Sequence, residues 1–141
     1  MNDIILIRNN DRDIKLILDT NKITNNKNLV FTSSEALELI ENKNNVLNNI
    51  GRIEIDNTII DKIIISFYDS EYIDLDNYFE TINSLVETFY IYQNKFSNYL
   101  VDDEIIEYLR ECYDKCGSIE LLNSIYYDKL NYKITYGDFY E

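Results

Sequence analysis

The chain has 141 residues, 45% of them apolar, and a formal net charge of −13, which is a length for one domain with its own core and too little for two full ones. A domain of this size buries roughly two-thirds of its unfolded surface, so it needs neither a metal nor a disulfide to hold together. The negative surface repels nucleic-acid backbones and anionic membranes, which excludes both as direct partners, and no stretch approaches the ~18 consecutive apolar residues of a membrane span.

The apolar run Ile4–Ile7 has no basic leader and no small-residue cleavage site, so no secretory signal is expected. Ile14, Leu16, Ile17 and Leu18 suit a short helix. The polar, aperiodic stretch Asn21–Asn28 predicts a loop, and Leu29–Phe31 a short extended piece. Thr32-Ser33-Ser34-Glu35 has the pattern of a capping box, in which Thr32 accepts from a backbone amide and Glu35 reaches back to the amide of Thr32. Leu37, Ile40, Leu47 and Ile50 then recur at helical spacing, and Gly51 suits the left-handed residue that ends a helix. Together they predict a helix over 33–49. Ile53 and Ile55 alternate with Arg52, Glu54 and Asp56 in a strand-like way, over too few residues to carry a sheet. Asp56 or Asn57 suits the cap of a next helix, with Ile60, Ile63, Ile64 and Phe67 on one face. The β-branched run Ile63–Ile65 makes a strand the competing reading.

Asp74 or Asp76 is expected to open the longest periodic segment, whose stripe is Tyr78, Ile82, Leu85, Val86, Phe89 and Phe96. Asp102-Asp103-Glu104 puts acids at a helix N-terminus, where the macrodipole favours them. Ile105, Leu109, Cys112 and Cys116 form that helix's stripe, and Gly117 its stop. Ser118 is expected to cap a last helix carrying Ile119, Leu122, Ile125, Tyr126 and Leu130, and the chain is expected to fray from Thr135. The fold class is therefore all-α: a compact bundle of five or six helices with a short extended segment near the N-terminus. Residues 1–141 are read as a single acidic helical domain, with 1–31 and 135–141 giving the weakest patterns.

Several short pieces are familiar as a set: Gly51-Arg52-x-Glu54, Asp69-Ser70-x-Tyr72, Asn77-Tyr78-x-x-Thr81, Phe89-Tyr90-x-Tyr92, the Asp102-Asp103-Glu104 turn, and Gly117-Ser118-x-Glu120. From about residue 29 to residue 122 the chain resembles a family of small clostridial proteins known only as a domain of unknown function. The resemblance implies a small bacterial cytoplasmic protein, and it brings no assigned activity, cofactor or site residues.

The residues offer little catalytic equipment. The chain has no histidine, which removes the commonest general base and metal ligand. It also has no Ser-His-Asp, Cys-His or phosphate-loop arrangement. Cys112 and Cys116 lie four apart, which is neither redox spacing nor enough ligands for a structural zinc site. Packing in the core explains them better. The acids Asp69, Glu71, Asp74 and Asp76 invite a calcium reading. Aligned from Asp69, however, the sixth position is Asp74 where the calcium loop needs Gly, and capping and solvation explain the same acids. No cofactor and no metal is expected.

What remains is surface. Residues 51–141 hold nineteen acids against seven bases, while residues 1–50 are nearly balanced. On the helix from Asp102, the residues Asp103, Glu107, Glu111 and Asp114 step by three and four and share one face. A solvated helix face accounts for that pattern; a partner-binding face is the functional reading. Thirteen tyrosines add to it, with Tyr126 and Tyr127 as candidate partner contacts, because tyrosine is large, rigid and amphipathic. An AT-rich genome also yields many tyrosines. The expected function is a non-catalytic protein–protein interaction module of the cytoplasm, binding a protein with a basic surface. One alternative is a phage- or mobile-element-encoded inhibitor that mimics DNA, such as an anti-CRISPR. A second is a carboxylate-based enzyme or divalent-metal binder.

Overall fold

The computed structural model describes residues 2–54 and 58–137, and side chains from residue 11 onward. Six helices of eight residues or more make up the bundle: α1 (Asn2–Asp19), α3 (Ser33–Asn49), α4 (Ile60–Phe67), α5 (Tyr78–Phe96), α6 (Asp102–Cys116) and α8 (Ile125–Tyr136). Two single turns, α2 (Asn21–Thr24) and α7 (Ile119–Leu122), join them, and there is no strand among the described residues. The expected all-α bundle is the fold.

α5 is the central helix. It packs against α3, α4, α6 and α7, while α1 lies on α3 and α4 at one side and α8 on α7 at the other. The reason is in its sequence. The whole expected stripe from Tyr78 to Phe96 is buried, Tyr92 on the same stripe is buried with it, and Thr88 and Tyr90 to either side of it are buried too. A helix apolar on most of its circumference is stable only when surrounded. Edge-to-face aromatic pairs fill the space around it, among them Phe89 with Tyr90 and Tyr92 with Phe96.

The local signals that rest on capping are seen as read. Thr32 Oγ1 accepts from the Glu35 amide at 3.1 Å, and Glu35 Oε1 accepts from the Thr32 amide at 2.9 Å. α3 runs over 33–49, and Gly51 follows it at φ +71°. α6 starts at Asp102 and stops before Gly117 at φ +61°. In α4 the helix prevails over the strand: Ile60, Ile63, Ile64 and Phe67 are buried at helical spacing while Ile65 faces outward.

Several boundaries differ from expectation. α1 is a long helix rather than a short one; the side chains of Ile4–Ile7 lie outside the described residues. Asn21–Asn28 is not a loop but a helical turn followed by a 3-10 turn, closed by Asn28 at φ +61°. Asn21 explains this, since its amide group exchanges two hydrogen bonds of 2.9 Å with the backbone of Phe31 and folds the segment back. Leu29–Phe31 runs without regular structure. In α3 the buried positions are Ala36, Leu39, Ile40, Lys43 and Leu47, so Leu37 sits at the edge of the stripe. Ile55, Asp56 and Asn57 lie outside the described residues; it is Thr58 Oγ1 that accepts from the Ile60 amide at 3.2 Å. Asp74 does not open α5. It closes a turn of its own by accepting from the amides of Asp76 and Asn77, and α5 starts at Tyr78. The single last helix is two: Ser118 caps α7 only, and the chain breaks at Asn123-Ser124 before α8.

Candidate partner-binding surface

α6 turns its apolar side inward with Ile105, Ile106, Leu109, Cys112 and Tyr113, and leaves Asp103, Glu107, Glu111 and Asp114 exposed on the opposite side. Glu104 Oε1 accepts from the Val101 amide at 2.9 Å and is therefore occupied in starting the helix. The ends of the acidic face are also engaged. Lys62 of α4 reaches Asp103 at 3.2 Å. Arg110 holds Asp114 at 2.8 Å and Asp69 at 2.7 Å, and also donates to the carbonyl of Ser66. The Arg110 guanidinium holds the Asp69 carboxyl below the usual carboxylate range. Between these ends, Glu107 and Glu111 are exposed and make no ion pair among the described residues. The unbalanced charge of the face is thus concentrated on two carboxylates one helical turn apart.

The tyrosines divide by burial. Tyr90 and Tyr92 are fully buried, and Tyr78 and Tyr113 nearly so. Tyr92 Oη donates to the Leu122 carbonyl at 2.5 Å and ties α5 to α7. Tyr127 is half-buried and packs one side of its ring on Tyr92 and Phe96 at centroid distances of 5.4 and 5.3 Å. Tyr126 is half-buried; its carbonyl accepts from Tyr108 Oη at 2.7 Å, and Lys129 lies over its ring. This bond brings the start of α8 alongside α6. Among the described residues the exposed tyrosines are Tyr72, Tyr99, Tyr132 and Tyr136; the last two lie on α8, 4.6 Å apart by ring centroid, in line with exposed Ile125. Tyr140 lies outside the described residues. The structure thus brings Asp103, Glu107, Glu111 and Asp114 together on α6 and leaves Tyr126 and Tyr127 half-buried on α8.

Two features carry no plain signature in the sequence. The first is a groove of about 350 Å³ between α4 and α6, lined by Asp61, Lys62, Ile65, Ser66, Asp103 and Ile106. Burial raises the Asp61 carboxyl above its ordinary value, and the nearby Asp13 charge adds to this, against the amides of α4's first turn and Lys62. The second is a charged cluster in the interior. Lys43 is only 4% exposed, and its ammonium lies 3.0 Å from Glu54 Oε1 and 3.5 Å from Asp13 Oδ2. Tyr90 Oη donates to Glu54 Oε2 at 2.5 Å. Asp13 Oδ1 has no hydrogen-bond partner among the described residues. The signal for this cluster was a lysine standing in the buried register of α3. Its lysine and both carboxylates largely satisfy each other, so it joins α1, α3, α5 and the segment after α3.

The other candidates are absorbed by structure. Cys112 is buried and Cys116 half-buried, both as free thiols, and burial pushes the Cys112 thiol up, away from the reactive thiolate. Asp69 and Asp74 serve Arg110 and a turn. Among the described residues no group of three or more acids or cysteines is placed to hold a metal ion, and no helix is long and apolar enough to cross a membrane.

No curated protein and no solved structure matches the chain. A family model does, over residues 16–139; its description is "Family of unknown function (DUF6323)".

Proposed function

The chain belongs to DUF6323, a family of unknown function, so its role has to be argued from its own surface, and we propose that it is a non-catalytic protein–protein interaction module that binds a basic protein surface through the solvent face of α6. The observation that carries this reading is the pair Glu107 and Glu111, exposed and making no ion pair among the described residues, on a face whose two ends are paired with Lys62 and Arg110. Opposite potentials steer encounter and fix register between partners. The exposed rings of Tyr132 and Tyr136 on α8 are aromatic surface of the kind that interfaces favour. Free thiols at Cys112 and Cys116 suit a reducing compartment, and the cytoplasm is the setting we propose.

The test is affinity capture from native lysate with the wild type and with the double variant Glu107→Lys, Glu111→Lys. A partner held by the wild type should be lost from the variant and released by salt. Recovery of the same proteins by both, or of none by either, would sink the reading. The DNA-mimic alternative draws less support, because the two carboxylates that make no ion pair among the described residues come from one helix.

A further inference from the structure

We propose that the groove between α4 and α6 receives a lysine or arginine side chain from a basic segment of the partner, with Asp61 and Asp103 as its carboxylates and Ile65 and Ile106 as the surface for its aliphatic stem. This rests on the interaction reading above and adds to it an anchoring point. The groove opens on the same side of α6 as the acidic face, since Asp103 belongs to both. Its volume of about 350 Å³ lies at the small end of ligand sites and suits one long side chain. Its lining has the two parts such a side chain needs. Lysine and arginine lay their methylenes along apolar surface and keep the charge at a polar rim. Here Ile106 is nearly buried, Ile65 is partly exposed, and the carboxylates come from opposite walls.

The molecule already shows a cation seated there. Lys62 reaches across from α4 and places its ammonium 3.2 Å from Asp103, with both side chains more than half exposed. An exposed pair of this kind contributes little to stability, so exchanging Lys62 for a partner's cation costs little. Asp61 has no such counter-ion: among the described residues it makes no ion pair, and the groups facing it are Lys62 beside it, Asp13 on α1 and the amides of its own turn. An incoming guanidinium gives it a charge-assisted bond, which is stronger than a neutral one. Carboxylates on two walls and an apolar floor select a long basic side chain over a small cation, which gains nothing from the isoleucines.

The full chain, labelled with nitrogen-15, is titrated with a short blocked arginine peptide at low ionic strength while the amide resonances are followed. The expected result is saturating shifts at Ile65, Ser66 and Ile106. These weaken at least tenfold in apparent affinity in Asp61→Asn and in Asp103→Asn, and persist in Glu38→Gln on the exposed side of α3. Thermal melts of each variant separate loss of binding from loss of fold. Shifts confined to the stretch around Glu107 and Glu111 would overturn the groove and leave the interaction reading standing. Shifts nowhere would overturn both. Magnesium chloride reproducing the same groove shifts would also overturn the assignment, in favour of a small-cation site.

Discussion

At the scale of single residues, the interior cluster around Lys43 makes the sharpest demand. Removing the lysine strands Asp13 and Glu54 in a low-dielectric interior, and breaking a buried pair from one side costs about 3–5 kcal/mol. Lys43→Met should therefore lose stability of that order in urea unfolding with an unchanged m-value. Tyr90→Phe, which removes one bond to a charged acceptor, should lose about 1.5–3 kcal/mol. Asp61 makes the opposite kind of statement. Its carboxyl titrates above the ordinary value in the fold, so the fold favours the neutral acid. That contribution is fully present below the unfolded carboxylate's pKa of about 3.9 and is lost as pH rises through the folded value. Asp61→Asn fixes the neutral form. Its melting temperature should match wild type in acid and exceed it at neutral pH; a lower value at neutral pH would show that the amide contacts outweigh the burial.

At the scale of elements, the two glycines after α3 and α6 provide a matched comparison. Both have positive φ, which costs an ordinary residue about 1–2 kcal/mol. A Cβ at Gly51 would meet nothing within 4 Å, whereas one at Gly117 would lie 2.6 Å from the Tyr72 ring. Gly51→Ala should stay within that strain cost, and Gly117→Ala should exceed it clearly in chemical denaturation. Equal losses would mean that Tyr72 moves freely aside. The same pair shows what was legible in the sequence. Caps and stops are local: Thr32, Glu35, Gly51 and Gly117 act through neighbours a few positions away, so their signals survive without a tertiary context. The folding back of Asn21 onto Phe31 spans ten residues, and polar composition there reads as loop. The burial of Lys43 is not legible in the sequence, because a lysine in a stripe reads as an interruption until its two carboxylates are known. The face of Asp103, Glu107, Glu111 and Asp114 was legible from spacing alone. The groove was not, because it exists only where α4 meets α6. The burial of the tyrosines was not legible either, because composition counts them without saying which ones point inward: Tyr90 and Tyr92 are fully buried, Tyr126 and Tyr127 half-buried.

At the scale of the molecule, the charge is a field rather than a list of pairs. Nineteen acids against seven bases beyond residue 50 repel one another across the surface, and self-repulsion of this kind opposes the compact state. The ion pairs of the described residues are mostly exposed; those of Lys62 and Arg110 reach the surface, and only Lys43 is sealed inside. Added salt should therefore raise the melting temperature from very low ionic strength up to about 0.15 M, where the screening length is about 8 Å. A fall over that range would mean that the surface pairs outweigh the repulsion.

α8 has Leu130 as its one buried side chain, with Tyr126, Tyr127 and Ile134 partly buried against the core, and packs chiefly on the single turn of α7. Less apolar area therefore holds it than holds α5, and it is expected to detach before the rest of the bundle opens. Its amides should exchange with deuterium through a sub-global opening, well before those of α5, whose exchange waits for global unfolding. A partner that grips Tyr132 and Tyr136 would slow that exchange, so protection along α8 would report occupancy even when the partner itself is invisible.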